Sequence, residues 1–452
     1  MPIEAARCQA IFDQVLRASR ALGVADAEAI LAAGSSALTR FANNAIHQNV
    51  AERSGYLSVR VQIDGRTARA TTNRLDDDSI RQVVEESVAL TKLQEPDAAL
   101  LPLTEPSGTG LPACPSVRWH EATARVTPTD RAQAVAEAIA IVEAAGQTAA
   151  GIYSTSESVS AILNSRGLFA YYPETMASFS ITAMAADSSG WAKGSACSHR
   201  DLDPAAMARA AAGKAQASRD PLELPPGPYT VILEPAAVLD LAGQMFGDFS
   251  ATAITDGRSF LRDRIGAKLF GDNIAIYDDA YHPLQAGTPF DGEGVPRCKL
   301  ALVDQGVVRE VPYCRQAAHA AGVAATGHGF PLPNEYGEAP MNIVIAGGET
   351  PLEDMIASTA RGILVTRLWY IREVDPYDKI MTGMTRDGTF LIEQGHIARG
   401  VRNFRFNQAL PEMLSNVEAL SPAVRASGEE AFDMVVPAMR VRDFHFTEVT
   451  RF

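Results

Sequence analysis

The sequence lacks the features of several protein classes, beginning with its cysteines, which are few and scattered. The five cysteines of the 452-residue chain form no CxxC pair: Cys8, Cys114, Cys197, Cys298 and Cys314. An odd number of unclustered thiols is typical of a reduced, cytoplasmic protein rather than of a disulfide scaffold. No apolar run reaches the roughly 18 residues of a membrane span. Glu4 and Asp13 interrupt the N-terminal segment, so we expect neither a signal peptide nor a membrane contact.

The chain also lacks a basic patch and two common catalytic motifs. Its net charge is −14, whereas nucleic-acid binders hold phosphates with clustered Lys and Arg, so we expect no nucleic-acid partner. Neither the G-x-S-x-G of a serine hydrolase nor the G-x-x-x-x-G-K-[ST] of a phosphate loop occurs. The glycine-rich segments FDGEGVP (290–296) and TGHGF (326–330) lack a strand–loop–helix context, and we interpret them as turns.

The length and one proline-rich segment predict the domain organisation. A chain of 452 residues is too long for a single core, so at least two domains are expected. The segment SRDPLELPPGP (218–228) has four prolines in eleven residues, and neither a helix nor a sheet continues through such a segment. We therefore predict an N-terminal domain over residues 1–222 and a C-terminal domain over residues 229–452.

Hydrophobic periodicity predicts the elements of the N-terminal domain. Four helices are expected, over residues 4–22, 76–93, 130–145 and 205–218. The segments between them alternate as strands do, and AEAILAAG (27–34) and ALTRFANN (37–44) predict two separate short strands. Six prolines between residues 95 and 128 predict a long loop. These features predict a two-layer α/β domain, with helices on an antiparallel sheet.

The C-terminal domain is predicted to be mainly β. The strand YTVILE (229–234) and a helix over residues 235–249 open it. A hairpin over residues 299–311 and a strand-rich run over residues 363–406 follow. Within that run, Asp387-Gly388 and Gln394-Gly395 are predicted turns. The whole chain is therefore expected to be an α+β protein with two domains.

The helix at 235–249 carries a polar stripe beside an apolar face. Asp240, Gln244 and Asp248 recur at a spacing of four residues, which places them on one side of a helix. An acid beside a ligand position on a largely apolar helix is the layout of a hydrolytic metal site. Aspartate and glutamine are weak ligands compared with imidazole, however. The stripe is equally compatible with a helix face exposed to solvent or to a subunit interface.

Polar residues beside apolar strand residues are the other candidates for a site. They are Arg40, Asn43, Asn44, Arg386, Asp387, Arg405 and Asn407. They could bind an extended peptide, or they could be local hydrogen-bond brackets at bulges and turns. Cys197-x-His199 and Cys314 with His319 offer soft metal ligands, but neither pair has the further ligands that structural zinc requires.

Five segments in order resemble the TldD/PmbA family, whose older label is modulator of DNA gyrase. They are TRFANNAIHQ, TPFDGEGVPR, RLWYIREVDP, MTRDGTFLIEQGHI and NFRFNQALPEML, and the likeness runs from about residue 38 to the end. The resemblance implies an N-terminal α/β domain, a mainly β C-terminal domain and dimers that enclose a chamber. It also implies metal-dependent cleavage of unfolded or modified peptides. The best-known form pairs a zinc-bearing subunit with one that lacks the metal.

In the family, the zinc-bearing subunits carry H-E-x-x-x-H on a helix that follows the interdomain linker, with a cysteine near the C-terminus as third ligand. The matching positions here are Leu239 and Gln244 in place of the histidines and Asp240 in place of the glutamate. No cysteine follows Cys314. The resemblance therefore implies the metal-free, PmbA-like (TldE-like) branch, with no catalytic residue and no cofactor in this chain.

Three functions remain open at this point. The first is a non-catalytic subunit that pairs with a TldD-like zinc-bearing subunit and holds an extended peptide. The second is a homodimeric peptidase with an unusual metal site, whose ligands would come from a small pool: Asp240, Asp248, Asp256, His319 and His328. The third is a protein-binding regulator, for example of DNA gyrase, without peptidase activity.

Overall fold

A computed structural model describes residues 3–106 and 118–450 of the chain. The architecture is α+β, as predicted, with an N-terminal α/β domain and a β-rich C-terminal region. The centre of the predicted proline-rich loop, with Pro112 and Pro115, lies outside the described residues, as does Cys114. The predicted loop over residues 95–128 does contain one helical turn, at Glu121–Ala124, which the proline count alone did not indicate.

Helices and one antiparallel sheet build the N-terminal part. The helices are α1 (Ala5–Ala21), α2 (Asp77–Lys92), α3 (Glu121–Ala124), α4 (Pro128–Ala144) and α5 (Pro204–Ala217). The strands are β1 (Asp26–Ala42), β2 (Ala45–Ile63), β3 (Arg66–Thr72), β4 (Thr148–Asn164), β5 (Phe169–Met184) and β6 (Ser189–Ala196). Their order across the sheet is β3-β2-β1-β4-β5-β6.

Local sequence explains where the N-terminal helices begin. The Asp76 side chain accepts a hydrogen bond from the Ser79 backbone N–H at the start of α2. Thr127 and Asp130 form a capping box at the start of α4, and Pro128 occupies the first helical position. Four helices cover a single face of the sheet, α1 and α2 at one end and α4 and α5 at the other. No helix of the described residues packs on the opposite face.

The predicted break between residues 34 and 37 is wrong. β1 runs without interruption from Asp26 to Ala42 and pairs with β4 from Glu28 to Phe41. Gly34 lies in its middle, where a Cβ would meet the backbone of Glu157 and Ser158 on β4. The glycine therefore permits a close approach of two backbones and does not end the strand.

Two sheets and short helices build the C-terminal part. The strands of the smaller sheet lie in the order β10 (Val307–Val308), β9 (Leu300–Asp304), β8 (Ile276–Asp278), β11 (Ile343–Ile345), β18 (Met434–Val436) and β17 (Val424–Ala426). The larger sheet contains β7 (Gly227–Leu233), β12 (Arg361–Asp375), β13 (Ile380–Glu393), β14 (His396–Gly400), β15 (Phe404–Ala409), β16 (Val417–Leu420) and β19 (Met439–Val449). The helices are α6 (Pro235–Ala242), α7 (Ala251–Thr255), α8 (Arg315–Ala321), α9 (Leu352–Ala357) and α10 (Leu410–Ser415).

One apolar core joins these C-terminal elements. Residues of β7, α6, β12, β15 and β19 all contribute to it, and Leu233, Leu241, Phe404 and Phe446 are among its buried members. The linker between Ala217 and Gly227 is attached to the larger sheet, because the Leu222 N–H donates to the Gly400 carbonyl at 2.8 Å. Division of the chain into domains at residues 222 and 229 remains a prediction.

Among the described helices, none has both the length and the apolar character needed to cross a bilayer.

Candidate functional site

The helix at the family's zinc-motif position is shorter than predicted. Instead of one helix over residues 235–249, α6 ends at Ala242 and a 3-10 helix follows over Gly243–Asp248. The α-helix changes to a 3-10 helix at Gly243. The segment around Ala431 packs closely against this residue, and a Cβ added to Gly243 would lie 2.5 Å from the Ala431 Cβ. A loop that is distant in sequence therefore fixes the geometry of this segment, and the local pattern could not show it.

Asp240 is the only polar residue of α6, and it has several hydrogen-bond partners. Its Oδ1 accepts hydrogen bonds from three consecutive backbone N–H groups, those of Glu429 at 3.0 Å, Glu430 at 2.8 Å and Ala431 at 3.2 Å. A Cβ at Gly428 would collide with the same oxygen. The carboxyl is fully buried. Asp240 therefore holds loop 428–431 in place, and the alternative of a polar stripe exposed to solvent does not apply at this residue.

The second carboxyl oxygen of Asp240 is buried without a hydrogen-bond partner in the described part of the chain. Burial raises the pKa of Asp240 to about 6, although the three backbone N–H groups lower it. The side chain therefore changes its protonation state close to neutral pH.

The three motif positions do not fit a zinc ion. Leu239 is fully buried and its side chain has no donor atom. The Gln244 amide nitrogen donates to the carbonyls of Asp240 at 3.0 Å and Glu430 at 3.2 Å. One Asp240 oxygen is saturated by the three backbone N–H groups. Zinc needs three or four ligand atoms directed to one point, and the three motif positions offer only the second Asp240 oxygen and the Gln244 amide oxygen.

Asp248 is the third residue of the predicted stripe, and it is also buried. Its carboxylate forms an ion pair with Lys379 and accepts the Phe260 N–H at 3.2 Å. Lys379 is buried too, and its ammonium group also contacts Glu373 at 2.5 Å. Burial raises the pKa of Asp248, while Lys379 opposes this shift. The residue is a partner of Lys379 and not part of a solvent-facing stripe.

The structure disperses the remaining candidate ligands. His328 is buried in a pair with Asp278, with 3.1 Å between its Nε2 and the Asp278 Oδ1. His319 is exposed on α8, and Asp256 is exposed beside Arg258. Within residues 3–106 and 118–450, no three His, Cys, Asp or Glu side chains are grouped so that they could hold a metal ion. The pool proposed for a self-sufficient metal site is therefore not assembled here.

The two glycine-rich segments form one loop cluster with buried acids. The Gly292 N–H donates to the Gly329 carbonyl at 2.9 Å, and the Gly329 N–H donates to Asp291 Oδ2 at 2.7 Å. Glu293 is buried beside Asp291, and burial together with the Asp291 charge raises the pKa of Glu293 to about 7. Thr104 donates to the Glu293 carbonyl at 2.6 Å, so the cluster also ties the two parts of the chain together.

Asn43 and Asn44 form the turn of the β1–β2 hairpin, with φ values of 51° and 58°. The Asn44 amide brackets the chain at the start of β4, because Nδ2 donates to the Gln147 carbonyl at 3.1 Å and Oδ1 accepts the Ala149 N–H at 2.5 Å. Arg40 is exposed next to a bulge. A role of these residues in peptide binding remains a prediction.

Asp387-Gly388 is not a turn, contrary to the prediction. Both residues lie within β13, opposite a register shift in β12, with φ values of 52° and 132°. Asp387 is buried, its Oδ1 accepts from Ser189 Oγ at 2.6 Å, and its Oδ2 accepts from Arg367 Nε at 2.9 Å. A turn and a bulge both use positive φ, and the dipeptide alone does not distinguish them. Asp387 thus links β6 to the larger C-terminal sheet.

The structure brings Arg386, Arg405 and Asn407 to one face of the larger C-terminal sheet. Met384 lies opposite Arg405, and Thr382 lies opposite Asn407, on the adjacent strands β13 and β15. Arg386 follows Met384 two residues along β13, so its side chain points to the same side. Arg40, Asn43 and Asn44 lie in the N-terminal sheet, at the β1–β2 hairpin, and are not part of this face.

The helix-free face of the N-terminal sheet is rich in serine, which the sequence reasoning did not single out. Among the serines of this face are Ser36, Ser154, Ser156, Ser158, Ser178 and Ser180. The register pairs Ser36 with Ser156 and Ser154 with Ser178, and all six side chains are partly or fully exposed. The alternation TSESVS (155–160) carried this signal, because every second residue of a strand faces the same side.

This serine face adjoins the larger C-terminal sheet at Trp191. Trp191 lies on β6, opposite Thr182 of the serine face. The Arg367 guanidinium lies 4.9 Å from the centre of the Trp191 ring. Lys193, next along the same face, donates to the Gly428 carbonyl at 2.5 Å. The loop that Asp240 anchors therefore also borders the serine face.

One long sheet edge is free. β3 pairs with β2 over Leu57–Ile63. The first part of β2, residues 45–56, has β1 on one side and no described strand on the other. Nearly all of these residues are exposed. A free edge of this length offers a row of backbone donors and acceptors to a further strand.

Three family models match the chain in order. The model of PmbA/TldA metallopeptidase domain 1 matches residues 27–91, the central-domain model matches residues 124–219, and the C-terminal-domain model matches residues 226–448.

Named relatives match parts of the chain. A metalloprotease of Methanothermobacter thermautotrophicus is 24% identical over 293 residues, which cover 60% of this chain and 62% of that protein. Metalloprotease PmbA of Escherichia coli O157:H7 is 24% identical over 216 residues, which cover 47% of this chain and 45% of that protein. The aligned stretches therefore span less than two thirds of either relative.

Two solved structures share the fold over nearly the whole chain. TldE from Thermococcus kodakarensis has a TM-score of 0.87 at 20% identity and covers 97% of this chain and 100% of its own. A candidate modulator of DNA gyrase from Thermotoga maritima also has a TM-score of 0.87 at 20% identity, with coverage of 97% and 100%. At these identities the likeness concerns the fold.

Proposed function

The chain belongs to the PmbA/TldD metallopeptidase family, and we propose that it is the non-catalytic subunit of a two-subunit peptidase of this family. In this proposal a TldD-like partner supplies the zinc, and this chain completes the chamber that holds an unfolded or modified peptide. The chain would then represent the metal-free, PmbA-like (TldE-like) branch, acting in the cytoplasm.

The use of Asp240 carries the proposal. The position that would bear the catalytic acid is occupied by a carboxyl whose Oδ1 is engaged by three backbone N–H groups of loop 429–431. Leu239 supplies no ligand atom in place of the first histidine, and Gln244 supplies only an amide oxygen in place of the second. The remaining oxygen of Asp240 is buried, and within residues 3–106 and 118–450 no group of three metal-ligating side chains lies beside it to hold a metal-bound water. The contacts of α6 therefore fit a structural role in the wall of the chamber better than a catalytic role.

The sheet surfaces support the peptide-binding half of the proposal. An extended peptide can add to a free strand edge through main-chain hydrogen bonds, which require little side-chain selectivity. The free edge of β2 offers such a row of groups. The serine face of the same sheet offers many small donors and acceptors. Both features suit a substrate that is unfolded and varied in sequence.

The free edge of β2 is also available to a second subunit. In this proposal the second subunit of the dimer is a TldD-like chain and not another copy of this chain. A homodimeric peptidase would need a metal site from this chain alone, and its candidate ligands lie apart: His328 pairs with Asp278, and Asp248 pairs with Lys379. A gyrase regulator is not favoured by any surface described above. The heterodimer is therefore the form that we propose.

Copurification tests the proposal. The chain is coexpressed with an H-E-x-x-x-H subunit of its own organism, and the complex is isolated through a tag on this chain. A one-to-one complex that degrades an unfolded peptide, while each chain alone does not, is the expected result. The control complex carries an alanine in place of the motif glutamate of the partner and should assemble without activity. Failure of the two chains to copurify would count against the proposal.

A further inference from the structure

We infer that Arg386 and Arg405 form a binding site for a carboxylate of the extended peptide, so that the face of the larger C-terminal sheet prefers peptides with an exposed negative charge. This inference rests on the proposed function, because it names the chemistry that the same chamber recognises. The carboxylate could be the C-terminal group of the peptide or an Asp or Glu side chain, since both present the same two oxygens.

A ladder of alternating tryptophan and arginine side chains supports Arg386. The Arg367 guanidinium lies 4.9 Å from the Trp191 ring centre and 5.4 Å from that of Trp369. The Arg386 guanidinium lies 5.2 Å from the centre of the Trp369 ring. The order of the side chains in the ladder is therefore Trp191, Arg367, Trp369 and Arg386. Stacking on a tryptophan limits the motion of a guanidinium and leaves its N–H groups at the edge free. Arg386 is therefore held in position before a ligand arrives.

The inner and outer arginines of the ladder have different partners. Arg367 is buried, and its guanidinium donates to Asp387. Arg386 has 47% of its side chain exposed, and its Nε lies 3.6 Å from the same Asp387 oxygen, beyond hydrogen-bond distance. Since Asp387 is already occupied by Arg367 and Ser189, it neutralises Arg386 only weakly. The exposed end of the ladder thus retains positive charge.

Arg405 adds a second cation next to Arg386. It lies opposite Met384 on the neighbouring strand, and Arg386 is two residues further along, which makes the two arginines diagonal neighbours, roughly 7–8 Å apart at Cα. Within residues 3–106 and 118–450, Arg405 forms no ion pair or side-chain hydrogen bond. Glu448 lies opposite it on β19 without an ion pair between them. Two guanidinium groups at this separation can hold one carboxylate.

An acidic peptide fits this site better than other anions. The chain as a whole has a net charge of −14, so two neighbouring arginines that are only weakly paired form a local positive patch. The net negative charge repels a polyanion much more strongly than it repels a single carboxylate on a peptide. Asn407 on the same face can hydrogen-bond a peptide main chain. The occupant is therefore an extended peptide with a carboxylate.

Fluorescence anisotropy with three labelled twelve-residue peptides tests the inference. One peptide is neutral with a C-terminal amide, one has a free C-terminal carboxylate, and one is amidated with a central glutamate. Affinities are measured for the full chain and for its complex with the zinc-bearing subunit. We expect at least one carboxylate peptide to bind about tenfold more tightly than the neutral peptide. The carboxylate peptide that binds more tightly shows whether the site prefers a C-terminal carboxylate or a glutamate side chain.

Matched variants assign the preference to the two arginines. The double variant Arg386→Gln, Arg405→Gln should lose most of the tenfold preference and still bind the neutral peptide. Arg361→Gln is the control, because Arg361 is exposed at the far end of the same sheet. Urea denaturation establishes that each variant is folded.

The outcomes separate this inference from the proposed function. Equal affinity for all three peptides, or a preference that survives in the double variant, would overturn the carboxylate site and leave peptide binding intact. If no peptide binds to the chain or to the complex, the proposed function itself fails, and the carboxylate site fails with it.

Discussion

The role of Asp240 leads to a quantitative prediction about pH. Burial raises the pKa of this carboxyl from about 3.9 in an unfolded chain to about 6. A folded-state pKa that lies above the unfolded value means that the folded protein binds the proton more tightly. The associated stability is present below about pH 4 and is lost as the pH rises through about 6. The full loss corresponds to roughly 3 kcal/mol, of which roughly half falls between pH 5 and pH 8.

The substitution Asp240→Asn removes this titration and keeps an oxygen for the N–H groups of loop 429–431. The free energy of unfolding of the variant, relative to the natural protein, should therefore rise by roughly 1.4 kcal/mol between pH 5 and pH 8. Any cost from burying the new amide nitrogen is the same at both pH values and cancels in this comparison. Asp256→Asn is the control, since Asp256 is half-exposed beside Arg258.

Urea denaturation followed by tryptophan fluorescence measures the effect, because Trp191 and Trp369 lie where the two parts of the chain meet. A stability difference between Asp240→Asn and the natural protein that is identical at pH 5 and pH 8 would refute the reasoning. It would mean that the carboxyl of Asp240 is not desolvated as the structure describes.

Two further predictions concern Gly388 in β13 and Glu293 in the glycine-rich loop cluster. Gly388→Ala should destabilise the protein by roughly 2–3 kcal/mol in urea, because φ is 132° and the new Cβ would collide with Thr366, whereas Gly213→Ala in α5 has open space and should be neutral or stabilising. Equal effects of the two substitutions would contradict this account. Glu293→Gln should gain stability over the natural protein as the pH rises from 5 through 7, since burial raises the pKa of Glu293 to about 7 and the natural protein loses stability over that range; a constant difference across this range would argue against it.

The parts of the fold that depend on local pattern could be predicted from sequence. α1, α2, α4 and α5 lie within a few residues of their predicted bounds, since each buries residues at helical spacing on one face. The linker lies between Ala217 and Gly227, where the prolines are dense. The α+β class follows from these elements and from the strand-rich run after residue 363.

The parts that depend on distant contacts could not be predicted. Asp240 is separated by 189 to 191 residues from the backbone groups that it binds, and no local pattern indicates them. Its polar character left exposure to solvent open as an alternative, but three N–H groups permit its burial. The prediction of a turn at Asp387-Gly388 fails for a related reason. The pairing of β13 with β12 decides whether residues with positive φ form a bulge or a turn.

The common face of Arg386, Arg405 and Asn407 could be predicted only in part. Each residue was a candidate from its setting in the sequence, but their common face depends on the pairing of β13 with β15. The ladder that supports Arg386 also requires Trp191 from the N-terminal sheet, which only the tertiary structure supplies.

The zinc content of the isolated chain and of its complex tests the central claim most directly. Both are purified without chelator, and the metal is measured per chain together with cleavage of an unfolded peptide. The account predicts no stoichiometric zinc and no cleavage for the isolated chain, and one zinc per pair of chains with cleavage for the complex. One zinc per isolated chain, accompanied by peptide cleavage, would contradict it.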